Sequence, residues 1–410
     1  MGLLEGLFGS KRRRFGEQAL GMVRAQHRVA SAELDATDFV VSYATHDGER
    51  GRMSLETVFA RCADVPAEQA RRMLFDFVAL PTTADNQPGR PQGWASAAAR
   101  LRPLIRQAGQ LDRRAEGLRI ADHTLWRPLL PCLIETVVID DHTSMQSADP
   151  GLLDEWGVDV ETVFTAARAN LAELAMDTLG GYDPGAKAGV LHIPDASGDL
   201  YAGSLPLVQG WLAGIGAKAG ARPIVFVAQN TGVLVGAEFS PEHVLHLLRT
   251  ARQLFDDAVR EVSPVPYTLD EHGRLVPYRV PRDHLAWREI RAAESTLAAR
   301  VYSQQYEHLR ADLDAGRTGD FAAQLTHISK NGVETTYAAW TDTVPTLLPR
   351  ANNVSLTNAD TGATFFVPWQ TLATATDLEP VEGIHPPRYR VRFHPDTEVM
   401  TRLRAAQKID

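Results

Sequence analysis

The run from Cys132 to Ile139, "CLIETVVI", constrains the fold more than any other stretch of the chain. It is rich in β-branched residues and lacks the alternation of apolar and polar residues expected of a half-exposed strand. We therefore expect an interior strand with both faces covered. Asp140, Asp141 and His142 follow directly where the apolar run ends.

Length and cysteine content set the next limits. A chain of 410 residues is long enough for about two or three domains and for a large core without covalent cross-links. Cys62 and Cys132 lie far apart, with no CxxC pair and no Cys/His spacing of a zinc site. Two unpaired cysteines indicate a reducing compartment, so we expect a cytoplasmic protein and no structural metal.

The charge balance argues against nucleic acid as a partner. There are 42 Lys and Arg against 51 Asp and Glu, a net charge of −9, whereas binding to phosphates needs clustered positive charge. The one dense basic run is Lys11 to Arg14, behind an apolar leader. We interpret this stretch as the start of a helix, with contact to an anionic membrane surface as the alternative. No stretch approaches about eighteen uninterrupted apolar residues, so no transmembrane segment is predicted.

Local patterns predict the organisation of the chain. Residues 1–80 read as a helix, a hairpin turning at Asp47-Gly48, and two helices. Residues 81–93, "PTTADNQPGRPQG", read as a linker. Residues 94–282 form an α+β core domain. Residues 283–410 form a helix followed by antiparallel strands.

Within the core domain, caps and apolar spacing predict the helices. Asp149 and Pro150 suit a helix start and Gly157 a helix stop. Asp159 is expected to cap one continuous helix of four turns, with an apolar stripe of Val160, Val163, Phe164, Ala167, Leu171 and Leu174. A short strand is expected after residue 200, and hairpins at Asn230 to Gly232 and at His272-Gly273. Between these hairpins, Ser240 and Pro241 open a long helix.

In the last part, Asp283 is expected to cap a long charged helix that ends near Gly316. Asn331-Gly332 is a strong hairpin signal, and "VSLTNADTGATFFVPW" predicts a second hairpin. The predicted fold class is thus α+β, with mixed or antiparallel sheets packed with helices and a second, smaller, β-hairpin-rich domain at the C-terminus.

Several segments resemble a known family. The runs "RRFGEQALGMVRAQHRVASAELDATDFVVSY", "MSLETVFARC" and "LLPCLIETVVIDDHTSMQSADPGLLDEWGVDVETVFTAARANL" are similar to the YtpQ-like family of uncharacterised bacterial proteins. Glu155-Trp156-Gly157, Phe164 and Asn170-Leu171 carry most of the resemblance, which extends over residues 12–282. It implies a soluble, cytoplasmic, bacterial α+β protein, and it supplies no catalytic residues.

Asp140, Asp141 and His142 are the candidate reaction centre. Two carboxylates and an imidazole at a strand end are able to bind a divalent metal or to act as acid and base. Neighbouring residues of a continuing strand point to opposite faces, however, so both carboxylates reach one metal only if the chain bends. The alternative interpretation is that these polar residues end the strand in water, and we favour it.

Glu155, Trp156, Gly157 and Asn170 form a candidate structural motif. We expect Glu155 and Asn170 to hydrogen-bond the turn between their two helices, and Trp156 to anchor the core. The spacing of Gly214, Gly216 and Ala219 imitates a dinucleotide motif, but a helix precedes it and a strand follows, so no cofactor is predicted.

Two function classes follow. The first is a non-catalytic module that binds a protein or a small molecule in a groove between the segment up to residue 282 and the C-terminal domain. The second is a metal-assisted hydrolase that uses Asp140, Asp141 and His142. We prefer the binding module, because no nucleophile, base and orienting group occur together.

Overall fold

The computed structural model divides the chain into two compact units. The small unit comprises residues 1–100 and 139–146, and the large unit comprises residues 101–138 and 147–410. The structure describes residues 2–36, 39–46, 48, 50–62, 65–79, 93–115, 117–140, 145–186, 189–195, 201–230, 232–258 and 260–407. Among these residues, no helix has both the length and the apolar character needed to cross a membrane.

The small unit packs helices against a three-stranded antiparallel sheet of order β1-β2-β3. Its elements are α1 (Gly2–Arg24), β1 (Val29–Asp35), β2 (Val40–Thr45), β3 (Arg50–Ser54), α2 (Glu56–Arg61), α3 (Ala67–Ala79) and α4 (Trp94–Ala98). The predicted hairpin is β2 and β3, and β1 adds a strand that the sequence patterns did not predict. The rings of Phe15 and Phe39 both pack edge-on against the ring of Phe59, with centroid distances of 5.1 Å and 5.4 Å. Cys62 is partly buried and packs against the same cluster.

The first part of the large unit contains most of its helices. Its elements are β4 (Leu101–Gln107), β5 (Arg114–Ala115), β6 (Leu118–Arg119), β7 (Trp126–Leu130), β8 (Leu133–Asp140), β9 (Met145–Ser147), α5 (Leu152–Trp156), α6 (Val160–Ala169), α7 (Ala172–Gly181), β10 (Leu191–Pro194), α8 (Trp211–Ala219), β11 (Pro223–Phe226), β12 (Gly232–Ala237), α9 (Pro241–Asp256), β13 (Tyr267–Leu269) and β14 (Leu275–Pro277). Strands β8 and β9 carry the chain into and out of the small unit.

The second part of the large unit is one long helix followed by short strands. Its elements are α10 (Trp287–Asp314), β15 (Phe321–Ala322), β16 (Thr326–Lys330), β17 (Val333–Thr341), β18 (Thr346–Pro349), β19 (Asn353–Thr357), β20 (Thr364–Pro368), α11 (Trp369–Ala375), β21 (Arg388–Val391) and α12 (Thr397–Ala405).

Strand β8 is an interior strand, as its sequence predicts. Every residue from Leu133 to Ile139 is buried, and β8 lies between β4 and β7 in its sheet. A second sheet has the order β10-β12-β11-β13-β14, with antiparallel neighbours. The strands after α10 form two mixed sheets, in which β17 pairs with β19 and β15 with β18 in parallel. Helices and mixed or antiparallel sheets together confirm the α+β class.

The prediction of one continuous helix from Asp159 to Leu174 is wrong. Helix α6 ends at Ala169 and α7 begins at Ala172, and Val160 is exposed although the stripe placed it inside. Asn170 stands at the break, where its side-chain amide donates to the carbonyl of Leu101 at 2.9 Å. An asparagine is a poor helix former that readily bonds backbone groups outside the helix, so the chain turns there.

Two helix starts and one type of secondary structure also differ from prediction. Helix α5 begins at Leu152, after a turn in which Asp149 accepts from the N–H of Gly151. The segment expected as a short strand is a 3₁₀ helix over Ala202–Leu207. Helix α10 begins at Trp287 and not directly after Asp283, which lies in the preceding turn. Sequence patterns predict the first residue of a helix less precisely than they predict that the helix exists.

Gly157 ends α5 in the left-handed conformation, as its sequence position predicts. Its φ and ψ are 65° and 35°, and the N–H of Val158 closes the turn on the carbonyl of Leu153 at 3.2 Å. A Cβ at this position would meet no atom within 4 Å. Any effect of a side chain here therefore comes from backbone strain alone.

We expect Gly157→Ala to lower the free energy of unfolding by about 1 kcal/mol, because a left-handed backbone is unfavourable for any residue with a Cβ. Chemical denaturation measures this change. Gly180→Ala is the matched control, since Gly180 lies in α7 without positive φ and its added Cβ also meets no atom within 4 Å. The control should be as stable as the parent or slightly more stable. Equal effects of the two substitutions would contradict the strain argument.

Candidate functional site

Asp140 lies at the end of β8 and is partly buried. Its N–H donates to the carbonyl of Arg100 at 2.8 Å, and its own carbonyl accepts from Arg100 Nε at 3.2 Å. Asp141 and His142 lie outside the described residues. Within the described residues, no group of three or more His, Cys, Asp or Glu side chains could hold a metal ion. The hydrolase hypothesis for this trio stays a prediction.

The candidate structural motif lies within the α5 to α7 segment. Its residues Glu155, Trp156 and Gly157 stand at the end of α5, and Asn170 stands between α6 and α7. Trp156 is buried and Glu155 is exposed. The amide of Asn170 donates to the carbonyl of Leu101 in β4. This hydrogen bond joins the end of α6 to the sheet. The expected hydrogen bonds of Glu155 and Asn170 to the turn between their helices stay a prediction.

A buried carboxylate, Glu135, is the most enclosed charge of the β7/β8 sheet. It is fully buried on β8, where it accepts from Arg127 Nε at 2.7 Å and from Arg168 Nε at 2.7 Å. Arg127 also pairs with the exposed Glu161 at 2.6 Å and lies 4.1 Å from the ring centre of Phe164. Each charge in this cluster has a close partner, so we interpret it as a link between the sheet and α6.

We expect Glu135→Gln to lower the free energy of unfolding by about 3 kcal/mol, since it leaves two partly buried guanidiniums without their shared carboxylate. Glu161→Gln, which removes an exposed partner of the same Arg127, should change stability by less than about 1 kcal/mol. Denaturant titration of both variants measures the contrast. A loss of less than about 1 kcal/mol for Glu135→Gln would contradict a linking role.

A cavity of about 260 Å³ in the large unit is the best candidate for a functional site. It is lined from seven separate segments of the chain. The lining residues are Pro131, Cys132, Val265, Tyr267, Pro277, Arg279, Arg291, Glu294, Ser295, Leu297, Ala298, Tyr302, Thr336, Arg350, Ala351, Asn352, Pro386 and Pro387. They come from both sides of residue 282, the border at which the sequence analysis expects a binding groove.

One wall of the cavity is a face of α10. Arg291, Ser295, Ala298 and Tyr302 follow one another at spacings of three and four residues, so they lie on one side of the helix. Ser295 and Ala298 have small side chains, which leave open space between the longer Arg291 and Tyr302. The helix thereby contributes both the charge and the free volume of the site.

The facing wall is held in place by hydrogen bonds to α10. The hydroxyl of Tyr302 donates to the carbonyl of Pro387 at 2.9 Å and accepts from the N–H of Arg350 at 3.3 Å. Three hydrogen bonds join Thr336 and Asn352, and in one of them the N–H of Thr336 donates to Asn352 Oδ1 at 3.0 Å. These contacts fix the walls without a ligand.

The buried floor of the cavity carries neutral side chains. Burial raises the pKa of the Cys132 thiol to about 12, with Arg350 opposing the shift. Burial also raises the pKa of Tyr267 and of Tyr302. Tyr267 shares a hydrogen bond of 2.6 Å with Ser263 Oγ. A thiol and two phenols that keep their protons at neutral pH suit ligand binding better than nucleophilic attack.

The charged lining is unbalanced in favour of positive charge. Arg291 pairs with Glu294 at 3.0 Å, and both are partly buried. Arg279 and Arg350 are exposed, so they stand where the cavity opens to solvent. Among the described residues, neither has an ion-pair partner. The lining thus holds three guanidiniums against one carboxylate.

A second cavity, of about 300 Å³, is chemically simpler. It is lined by Tyr306, Arg310, Leu313, Asp314, Phe321 and Ala322. Its one arginine, Arg310, lies 3.8 Å from Asp314, so the two charges of this lining balance. We therefore base the functional argument on the first cavity.

The lining of the 260 Å³ cavity was not predicted from the sequence. Cys132 sits in a hairpin turn with a φ of 66°, which no composition pattern reveals. The spacing of Arg291, Ser295, Ala298 and Tyr302 is readable in the sequence, but small residues on a helix face are ordinary packing elements. The remaining lining residues are distant along the chain. Comparison with protein-family models, curated proteins and solved structures gives no match. The resemblance to the YtpQ-like family stays a prediction.

We expect the buried Cys132 thiol to resist alkylation. A thiol with a pKa of about 12 carries roughly a thousandfold less thiolate at pH 8 than one at its ordinary value, and burial further blocks access. In a Cys62→Ser background, iodoacetamide should modify Cys132 at least about a hundredfold more slowly in native buffer than in denaturant. Mass spectrometry over time measures both rates. Rapid native labelling would contradict the protonated, enclosed floor.

Proposed function

We propose that this protein is a non-catalytic module that binds a small molecule in the 260 Å³ cavity of the large unit. The observation that carries the proposal is the lining itself, which combines an apolar and aromatic floor with a few polar groups. Small-molecule sites are concave, largely apolar and furnished with a small number of convergent polar groups. The protonated thiol and phenols of the floor favour binding over chemistry.

The walls support this proposal because they are fixed before a ligand arrives. Tyr302 bonds Pro387, and Gln305 Nε2 donates to the carbonyl of Pro386 at 3.0 Å, so the Pro386-Pro387 wall is attached to α10 at two points. A site that needs little ordering keeps more of its contact energy as affinity. We further propose that the protein works in the cytoplasm, since both of its cysteines are free thiols.

The test is to fill the cavity. Ala298→Phe places a ring in the open space on the α10 wall, while Ala299→Leu, one residue along and outside the lining, is the control for added bulk on the same helix. Each purified protein is incubated with the small-molecule extract of its native host, washed, and denatured, and the released compounds are measured by mass spectrometry.

We expect the parent chain and Ala299→Leu to retain at least one compound near one equivalent, and Ala298→Phe to retain at least about tenfold less, because the ring occupies the ligand volume. Circular dichroism and thermal unfolding check that both variants fold. Retention of the same compounds at the same level by a folded Ala298→Phe variant would overturn the proposal, as would a parent chain that retains nothing.

A further inference from the structure

We propose, resting on the ligand-binding function above, that the natural ligand is a small organic dianion, either a phosphate monoester or a dicarboxylate. Its anionic end contacts Arg279, Arg291 and Arg350, and Ser295 Oγ donates to it. The remainder of the ligand packs on the buried floor and on the Pro386-Pro387 wall.

The first feature of the lining that points to a dianion is its charge. The charged groups that line the cavity are Arg279, Arg291, Glu294 and Arg350, an excess of two positive charges in a chain whose net charge is −9. Glu294 already satisfies Arg291 at 3.0 Å, which leaves the guanidiniums of Arg279 and Arg350 available. Guanidinium groups bind carboxylates and phosphates through paired hydrogen bonds. A ligand with two negative charges balances the excess.

The second feature of the lining is the hydroxyl of Ser295. Ser295 is 2 % exposed, and its Oγ has no hydrogen-bond partner among the residues that the structure describes. A buried serine or threonine inside a helix ordinarily bonds the carbonyl four residues earlier. Thr178, which is partly buried in α7, does so at 2.8 Å, and the more exposed Thr250, Thr374 and Thr401 do so at 3.1, 2.8 and 2.7 Å.

Ser295 differs from these residues, and it lines the cavity. A buried polar group without a partner destabilises the folded protein. Because Ser295 belongs to the lining of the cavity, we infer that a ligand acceptor supplies the partner of its hydroxyl. Ser295 lies one helical turn from Arg291 on the same face of α10, so one anionic group is able to contact both.

The exposure of the lining residues indicates that the charged end of the ligand lies at the opening of the cavity. Arg279 and Arg350 are exposed, whereas Cys132, Tyr267 and Tyr302 are buried. Complete burial of a charge pair carries a large desolvation penalty, which is smaller for a pair that keeps contact with water. The ligand's apolar part therefore faces the floor, and its anionic part faces the arginines.

The experiment uses the full chain and ligands that differ in charge. Phenyl phosphate is a dianion at pH 8, because the second pKa of a phosphate monoester is about 6, and methyl phenyl phosphate is its monoanion. Isophthalate and its monomethyl ester give the same comparison for carboxylates. We expect isothermal titration calorimetry to show one site that binds at least one dianion at least about tenfold more tightly than the matched monoanion.

Variants place the binding at the cavity. Arg279→Gln with Arg350→Gln should weaken the dianion at least about tenfold. The control pair Arg249→Gln with Arg402→Gln removes the same charge from exposed residues outside the lining and should change affinity less than about threefold. Glu294→Gln should tighten binding several-fold, because it removes the only negative charge of the lining.

Ser295→Ala separates a ligand role from a packing role. If Ser295 Oγ donates to the ligand, this variant has a melting temperature equal to or above that of the parent chain but binds the dianion about tenfold more weakly, because a bond to a charged group is lost. An unchanged affinity in Ser295→Ala would overturn the assignment of this residue. Equal affinities for the dianion and the monoanion would overturn the proposal that the ligand is a dianion. An equal loss of affinity in the Arg249 and Arg402 control would also overturn it.

The two proposals fail in different ways. If the compound retained by the parent chain and lost from Ala298→Phe is neutral or cationic, the binding function stands and the dianion is wrong. If neither the dianions nor any extract compound bind, the binding function itself is wrong. If a dianion binds equally to the parent chain and to folded Ala298→Phe, it binds outside the cavity, and the dianion inference is wrong.

Discussion

A fully buried guanidinium, that of Arg388, constrains the second half of the large unit. It donates from Nε to Gln305 Oε1 at 2.6 Å and from one terminal nitrogen to the carbonyls of Ala323 and Leu347 at 2.7 and 2.9 Å. Burial lowers its pKa to about 10, so it remains charged at neutral pH. A buried charge is tolerated only while its hydrogen bonds are complete. Strand β21, helix α10 and the segments around β15 and β18 must therefore stay together for the fold to persist.

The same side chains extend from this arginine to the cavity. Gln305, which accepts from Arg388, donates to the carbonyl of Pro386, and Tyr302 next to it donates to the carbonyl of Pro387. The guanidinium of Arg388 also lies 5.4 Å from the ring centre of Tyr302. One face of α10 thus carries the ligand lining while its neighbouring residues satisfy a buried charge. Because the requirement for satisfied hydrogen bonds fixes the helix, the shape of the cavity follows from the stability of the fold.

Local chemistry explains which parts of the fold are readable from the sequence. Asn331 and Gly332 both have positive φ between the antiparallel strands β16 and β17, and Ser240 caps α9 by accepting from the N–H of His243, as their residue types predict. The partner of Asn170 at the break between α6 and α7 was not predictable, because Leu101 is distant along the chain. The cavity was hidden for the same reason. Its lining converges from seven segments. The sequence shows the charge of Arg350, but it does not show that Arg350 lacks an ion-pair partner among the described residues.

The contrast between Glu135 and the cavity arginines shows how physical chemistry separates structure from function. Both clusters contain arginines beside buried strands or helices, and a sequence pattern does not distinguish them. Glu135 bonds both of its arginines closely, so that cluster leaves nothing for a ligand to satisfy. In the cavity, positive charge exceeds negative charge, and one buried hydroxyl has no acceptor in the part of the chain that the structure describes. Folding alone favours the removal of both features, since each raises the free energy of the folded chain. Binding of an anion with acceptor oxygens relieves both, which is why the argument for function rests on what the fold leaves unsatisfied.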